Sequence, residues 1–111
     1  MDDLQRYTIF VANVAFEDGM GSKKRPVMLI KFDEEVLKVL KITSQFNNKS
    51  KAIQEQYFEI IDWFKAGLKR PSWIDTVRYY EITDGYRFDI LGRLTERDIE
   101  RFKLFIKERL D

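Results

Sequence analysis

The chain contains no cysteine and no histidine among its 111 residues. Without cysteine it can form neither a disulfide framework nor a thiolate nucleophile, which fits a reducing compartment. Without histidine, the common zinc sites, catalytic triads and imidazole bases are excluded as well. Any catalysis therefore has to come from Arg, Lys, Asp, Glu, Ser, Thr or Tyr side chains.

Long apolar runs and an excess of charge are also missing. No run approaches the length of a membrane span, and the acidic start Met1-Asp2-Asp3 is unlike a basic signal peptide. The 20 cations and 19 anions nearly balance, so a nucleic acid would have to be bound by a local basic patch. We therefore expect a single domain over residues 1–111, cytoplasmic and without a membrane partner.

The apolar and β-branched residues are arranged mainly as strands. The pattern predicts strands over 7–16, 26–32, 36–44, 57–61, 73–82 and 86–91. The segment 36–44 would suit a helix face about as well, but its β-branched residues favour a strand. The dipeptide Asp84-Gly85 predicts a hairpin before the last strand.

Two connecting segments and the C-terminus complete the predicted architecture. Residues 45–56 are predicted to form a loop with one helical turn near its end, and 62–67 a turn of helix capped by Asp62 and closed by Gly67. The sequence Thr95-Glu96-Arg97-Asp98 is a capping-box variant. It precedes apolar residues at helical spacing, namely Ile99, Phe102, Phe105, Ile106 and Leu110. The fold is therefore predicted to be mainly β, with a C-terminal amphipathic helix that closes a barrel or sheet.

Polar side chains lie at the ends of two of these strands. Pro26 cannot donate to a sheet ladder, so it is predicted to be the first residue of its strand, with Arg25 at the strand mouth. Arg25 could be a functional cation or a surface cation paired with Glu34 or Glu35. Thr43 and Ser44 end the next strand, where such side chains often only cap a loop. The glycines of segment 17–22 lack the spacing of a phosphate-binding loop.

The order of these features resembles the MazF/PemK family of toxin endoribonucleases. The segments that carry the resemblance cover roughly residues 7–110. They are Arg25-Pro26-Val27-Met28-Leu29-Ile30, Ile42-Thr43-Ser44, Pro71-Ser72, Asp75-Thr76-Val77-Arg78 and Leu91-Gly92-Arg93-Leu94 before the final helix.

The resemblance implies a small SH3-like antiparallel barrel or twisted sheet, of the kind found in MazF, PemK and CcdB. It further implies a homodimer that cuts single-stranded RNA at specific sequences without a metal or other cofactor, and that a cognate antitoxin protein silences. The family's Arg and Thr-Ser positions fall on Arg25, Thr43 and Ser44. A looser match places its acidic and later basic positions on Asp75 and Arg78.

The implied chemistry is physically reasonable without histidine. The 2′-hydroxyl of RNA attacks the neighbouring phosphate and leaves a 2′,3′-cyclic phosphate and a 5′-hydroxyl. The protein needs to hold the in-line geometry and to stabilise charge on the phosphate oxygens. A guanidinium and hydroxyl donors can do this. The general base is left open between Glu17, Asp18 and Asp75.

Further residues are candidates for RNA binding. Lys23, Lys24, Lys69 and Arg70 could form a phosphate track together with Arg78, or simply a solvated face. On a regular strand, Asp75 and Arg78 would face opposite sides of the sheet, so a joint role requires a bulge. Aromatic residues could stack bases or belong to the core or dimer interface: Trp63, Phe64, Trp73, Tyr79, Tyr80 and Tyr86. The alternative function is a catalytically inactive module that binds nucleic acid or a partner peptide.

Overall fold

A computed structural model describes residues 5–15, 22–82 and 89–110. It contains six strands and two helices. In chain order these are β1 (Thr8–Ala15), β2 (Ser22–Asp33), β3 (Val36–Thr43), α1 (Lys51–Gln54), β4 (Tyr57–Ile60), β5 (Ser72–Ile82), β6 (Asp89–Arg93) and α2 (Glu96–Leu110). The strand interpretation of 36–44 is confirmed. The predicted hairpin at Asp84-Gly85 lies outside the described residues.

The six strands form one antiparallel sheet in the order β4-β5-β3-β2-β1-β6. The mainly β, antiparallel part of the fold prediction is confirmed, as is the C-terminal helix. The predicted barrel is not confirmed. Among residues 5–15, 22–82 and 89–110, no pairing joins β4 to β6, so the sheet stays open. The open edge of β4 is covered instead, since Arg101 of α2 donates a 3.0 Å hydrogen bond to the Glu59 carbonyl.

Strand β2 is longer than predicted at its N-terminal end. It begins at Ser22, so Pro26 is an internal residue, paired with Val11 of β1, and Arg25 lies within the strand and not at its mouth. A proline is tolerated there because the described pairing of β2 with β3 begins only at Val27. Over its first residues β2 therefore behaves as an edge strand, which can accommodate a missing N–H donor.

Apolar side chains on the two faces of the sheet form two buried clusters. The larger contains Ile9, Met28, Phe58 and Ile74 and is closed by Ile99 and Phe102 of α2, as the helical spacing predicted. The smaller lies on the other face and consists of Phe10, Ala12, Val27, Leu29, Leu37 and Val39, with Tyr80 and Ile82 of β5 packed against it. Burial of both faces explains why these strands are almost continuously apolar.

The N-terminus of α2 is fixed by side chains that also hold a neighbouring turn. Thr95 Oγ1 accepts a 3.4 Å hydrogen bond from the Asp98 amide, which is half of the predicted capping box. The Asp98 carboxylate does not reach back to the cap. It is fully buried and accepts hydrogen bonds from the amides of Ile61 (3.3 Å) and Asp62 (2.8 Å), and Arg101 pairs with it at 2.5 Å.

Residues 61–67 form the predicted helical turn, and Gly67 closes it. Leu68 N–H donates to the Trp63 carbonyl (2.9 Å) and Gly67 N–H to the Phe64 carbonyl (3.1 Å), the two hydrogen bonds of a Schellman motif. Gly67 has a φ of +97°, and a Cβ atom there would overlap the Leu91 carbonyl. The predicted cap at Asp62 is wrong, because its carboxylate binds Thr95 and Arg97 of the α2 N-terminus.

None of the helices in the described part of the chain is both long and apolar enough to cross a membrane.

Candidate functional site

An open groove of about 930 Å³ crosses the sheet face that carries the smaller apolar cluster. Its floor comes from β2, β3, β4 and β5, and its walls come from the segments that follow β3 and precede β5. Of the nine residues predicted to bind or cleave RNA, seven line it: Arg25, Thr43, Ser44, Lys69, Arg70, Asp75 and Arg78. These residues are up to 53 positions apart in the sequence, and the fold brings them together.

The groove is strongly basic although the chain is nearly neutral. Among the described residues that line it, six are cations and one is an anion. The cations are Arg25, Lys41, Lys49, Lys69, Arg70 and Arg78, and the anion is Asp75. A concave surface lined by one sign of charge concentrates ligands of the opposite sign. The local basic patch that a balanced composition would need for nucleic-acid binding is therefore present.

Arg25 and Thr43 lie just beyond the last described pair of β2 with β3. Val27 of β2 pairs with Lys41 of β3. Because the strands are antiparallel, Arg25 and Thr43 each lie two residues from that pair, toward the same end and on the same face. Arg25 is exposed and Thr43 half-buried. Glu34 and Glu35 lie in the turn beyond the other end of β2, and no ion pair between described residues joins either of them to Arg25.

The hydroxyl of Thr43 also has a structural role. Thr43 Oγ1 accepts a 3.0 Å hydrogen bond from the Gln45 amide, so it caps the loop after β3 as strand-end threonines often do. The Thr43 hydroxyl can still donate a hydrogen bond to another group, because a hydroxyl can accept and donate at once. Ser44 is half-buried and lines the groove beside it. Both hydroxyls can therefore face a ligand in the groove.

Asp75 lies on the groove floor and is nearly buried, with 7% of its surface exposed. Its Oδ1 accepts a 2.9 Å hydrogen bond from the Val77 amide, and its Oδ2 lies 3.7 Å from Lys41 Nζ. Lys41 and Asp75 are directly paired across β3 and β5. The carboxylate is thus held by its own strand and faces an ammonium group.

An irregular bulge of three extra residues in β5 explains how Arg78 joins Asp75 in the groove. Lys41 pairs with Asp75 and Val39 with Tyr80, so β5 advances five residues while β3 advances two. The three extra residues break the two-residue alternation of the strand. The bulge that a joint role of Asp75 and Arg78 requires is therefore present, and both residues line the groove.

Tyr57 borders the same carboxylate from β4. It is paired with Asp75 across β4 and β5 and is 8% exposed. Burial raises the pKa of its hydroxyl above the usual range, and the charges of Asp75 and Tyr80 raise it further. Tyr57 therefore remains protonated at neutral pH and can serve as a hydrogen-bond donor at the groove floor.

One of the predicted RNA-binding lysines, Lys24, is not brought into this site. Lys24 is exposed, pairs with Asn13 and alternates with Arg25 along β2, so it faces away from the groove lining. The Lys23 side chain lies outside the described residues, as do the candidate bases Glu17 and Asp18. The phosphate track that the sequence predicted thus has Lys69 and Arg70 on one wall, but not Lys24.

Only one of the candidate stacking aromatics is among the described groove-lining residues, and that is Tyr80. Trp73 instead stacks on Phe46, with ring centroids 4.7 Å apart and planes 12° apart. This contact holds the loop after β3 against the sheet. Phe64 is 78% exposed on the 61–67 turn, and Tyr79 lies in the β5 bulge within 5.3 Å of Lys38 Nζ. Tyr86 lies outside the described residues.

Three groove residues were not predicted from the sequence, namely the cations Lys41 and Lys49 and the hydrogen-bond donor Tyr57. Lys41 could have been found, because it precedes Thr43 by two residues on a strand and therefore shares its face. Lys49 lies in the polar loop after β3, whose path no local pattern predicts. In the described part of the chain, no group of three or more carboxylates is arranged to hold a metal ion.

The chain matches no protein-family model, and no curated protein matches it. The groove therefore has to be interpreted from its own residues.

Proposed function

We propose that this protein is an endoribonuclease that cleaves single-stranded RNA without a metal ion, by attack of the 2′-hydroxyl on the adjacent phosphate. The observation that carries the proposal is the meeting of Arg25, Thr43 and Ser44 in one basic groove. A guanidinium can donate to both non-bridging phosphate oxygens at once, and the hydroxyls can donate a further hydrogen bond to one of them. Products would be a 2′,3′-cyclic phosphate and a 5′-hydroxyl.

The nucleophile belongs to the substrate, so the protein has two tasks. It must align the 2′-oxygen with the leaving 5′-oxygen, and it must neutralise the charge that accumulates on the phosphorane. In the proposed mechanism Arg25 supplies the charge, and Thr43 and Ser44 orient the phosphate. Lys69, Arg70 and Arg78 bind neighbouring phosphates along the groove.

The resemblance of the sequence to MazF/PemK toxins extends the proposal. In that case the protein acts in the cytoplasm as a homodimer, cleaves at a specific RNA sequence and is inhibited by a cognate antitoxin. Production of the wild-type chain in cells would then stop growth, whereas production of the Arg25→Ala variant would not.

The test is incubation of the purified chain with a long single-stranded RNA in excess EDTA. We expect discrete fragments that end in 2′,3′-cyclic phosphate from the wild type, and a rate at least about 100-fold lower from Arg25→Ala. Arg6→Ala is the matched control, since Arg6 is an exposed arginine outside the groove lining. Equal fragmentation by wild type and Arg25→Ala, or intact RNA throughout, would contradict the proposal.

A second candidate function is a binding module of the same fold without catalysis. The observation that favours it is the burial of Asp75, whose Oδ1 is already occupied by the Val77 amide. An open, unoccupied carboxylate would be the better general base. This candidate predicts tight binding of single-stranded RNA or a partner peptide with no product after long incubation at high protein concentration.

A further inference from the structure

A row of four paired residues crosses the sheet at the groove, and all of them except Val27 line it. Val27 on β2 pairs with Lys41 on β3, Lys41 with Asp75 on β5, and Asp75 with Tyr57 on β4. Lys41 is the cation of this row. Lys41 lines the groove, and its side chain is 27% exposed. Its ammonium group can therefore contact a ligand in the groove although its aliphatic stem is packed.

Asp75 restrains the end of the Lys41 side chain. Its Oδ2 lies 3.7 Å from Lys41 Nζ, while its Oδ1 is held at 2.9 Å by the Val77 amide. A carboxylate that is nearly buried is less screened by water than one at the surface, so its attraction for an ammonium group is stronger. Lysine is otherwise a flexible point charge, and this contact limits where the charge can lie.

The residues proposed to act on the phosphate lie two positions beyond this row. Arg25 and Thr43 are each two residues from the Val27–Lys41 pair on the same face. Rows two residues apart are separated by about 6.6 Å along a strand. Long Lys and Arg side chains span that separation, so Arg25 and Lys41 can contact one phosphate group from adjacent rows.

We infer that Lys41 is a second cation at the scissile phosphate and that Asp75 is the positioning residue that orients it. This inference rests on the proposed function. It adds to the proposed site a cation, Lys41, that was not predicted from the sequence. Lys41 forms and breaks no covalent bond in this role. Its ammonium group donates hydrogen bonds to a phosphate oxygen and neutralises charge that increases as the 2′-oxygen attacks. Asp75 would not then be the general base.

Binding can be tested without relying on cleavage. A fluorescein-labelled single-stranded oligodeoxynucleotide lacks the 2′-hydroxyl and cannot be cut, so its affinity can be measured as a function of salt. We expect Lys41→Met to lower the slope of log K against log salt by about 0.7. Lys38→Met is the matched control on the same strand, because Lys38 lies near Tyr79 and outside the groove lining; its slope should equal that of the wild type.

The role of Asp75 is tested by a double-mutant cycle with Asp75→Asn. Loss of a negative charge from a basic groove would by itself strengthen binding of a polyanion. Positioning predicts the opposite, a weakening of about fivefold in the wild-type background that disappears in the Lys41→Met background. Thermal unfolding and circular dichroism confirm that each variant is folded. Stronger binding by Asp75→Asn in both backgrounds would overturn its positioning role.

The outcomes separate this inference from the proposed function. Unchanged salt slopes for Lys41→Met overturn the inference even if the wild type cleaves RNA. A reduced slope supports Lys41 as a phosphate ligand even if the wild type leaves RNA intact, which would contradict the proposed cleavage alone. If the wild-type chain does not bind the oligodeoxynucleotide, Lys41 has no phosphate to bind and the inference fails.

Discussion

The carboxylate of Asp62 accepts two hydrogen bonds from the guanidinium of Arg97, at 2.6 Å from Nη2 and 3.1 Å from Nε. Thr95 Oγ1 donates a third, at 2.6 Å. Asp62 lies at the start of the 61–67 turn, and Arg97 and Thr95 lie at the start of α2. The pair therefore ties the terminal helix to the segment that leads into Lys69 and Arg70 on the groove wall.

This pair predicts a dependence of stability on acid. The hydrogen bonds from Arg97 and Thr95 lower the pKa of Asp62 from 3.8 to about 2. A lowered pKa in the folded state stabilises the protein above pH 4, and this stabilisation is lost as the pH falls through 2. We expect Asp62→Asn to unfold at a lower temperature than the wild type at pH 7, with the difference closing between pH 4 and pH 2.

Thermal unfolding at several pH values measures this effect. Asp33→Asn is the control, because Asp33 is an exposed carboxylate 3.8 Å from Lys31. It should change the free energy of unfolding by less than about 0.5 kcal/mol. A difference between Asp62→Asn and wild type that is as large at pH 2 as at pH 7 would contradict the assignment.

Asp98 is expected to be one of the most costly polar positions to change. It is fully buried, accepts hydrogen bonds from the amides of Ile61 and Asp62, and pairs with Arg101. Asp98→Ala leaves those amides and that cation without their partner and should lower the free energy of unfolding by about 3 kcal/mol. Urea unfolding measures it. Glu100→Ala, which removes only an exposed pair with Lys103, should cost less than about 0.5 kcal/mol.

Gly67→Ala should destabilise the fold. The φ of +97° is strained for any residue with a side chain, and a Cβ atom would also overlap the Leu91 carbonyl. We expect a loss of at least about 2 kcal/mol in the free energy of unfolding. Lys65→Ala, two residues earlier and exposed, is the control and should change it little. Similar unfolding midpoints for Gly67→Ala and wild type would show that the turn can adjust.

Arg70 and Lys24 are predicted to differ in their contribution to RNA binding. Arg70 lines the groove, whereas Lys24 alternates with Arg25 on β2 and does not. Arg70→Ala should therefore lower the slope of log K against log salt for single-stranded RNA by about 0.7, and Lys24→Ala should leave it unchanged. Fluorescence anisotropy at three salt concentrations distinguishes them. Equal slopes for the two variants would mean that RNA does not follow the groove.

Much of the secondary structure could be predicted because it depends on local patterns. The β-branched and aromatic runs identified β1, β3 and β5 to within about one residue, and the capping residue Thr95 and the spacing of Ile99 and Phe102 identified α2. The N-terminal extension of β2 was missed, because whether a strand tolerates Pro26 depends on which neighbour pairs with it there.

The candidate site was predicted in composition but not in arrangement. Arg25, Thr43, Ser44, Asp75 and Arg78 all line the groove, yet a regular strand would have put Asp75 and Arg78 on opposite faces. The register shift that brings them together depends on pairing between β3 and β5, which are distant in sequence. Lys24 does not line the groove, because neighbouring residues on a strand point to opposite faces.

The sequence alone determined which chemistry is possible, because the residue types present and absent limit it: no thiol and no imidazole, but arginine, lysine and hydroxyl groups beside apolar runs. It also determined the strands and the terminal helix, whose signals are carried by residues close together in the chain. Only the tertiary structure decided that no pairing between described residues joins β4 to β6, that Asp62 and Asp98 fasten the 61–67 turn to α2, and that six cations line one groove with Asp75. These features depend on strand order, register and bulges, which are set by contacts between residues far apart in the sequence.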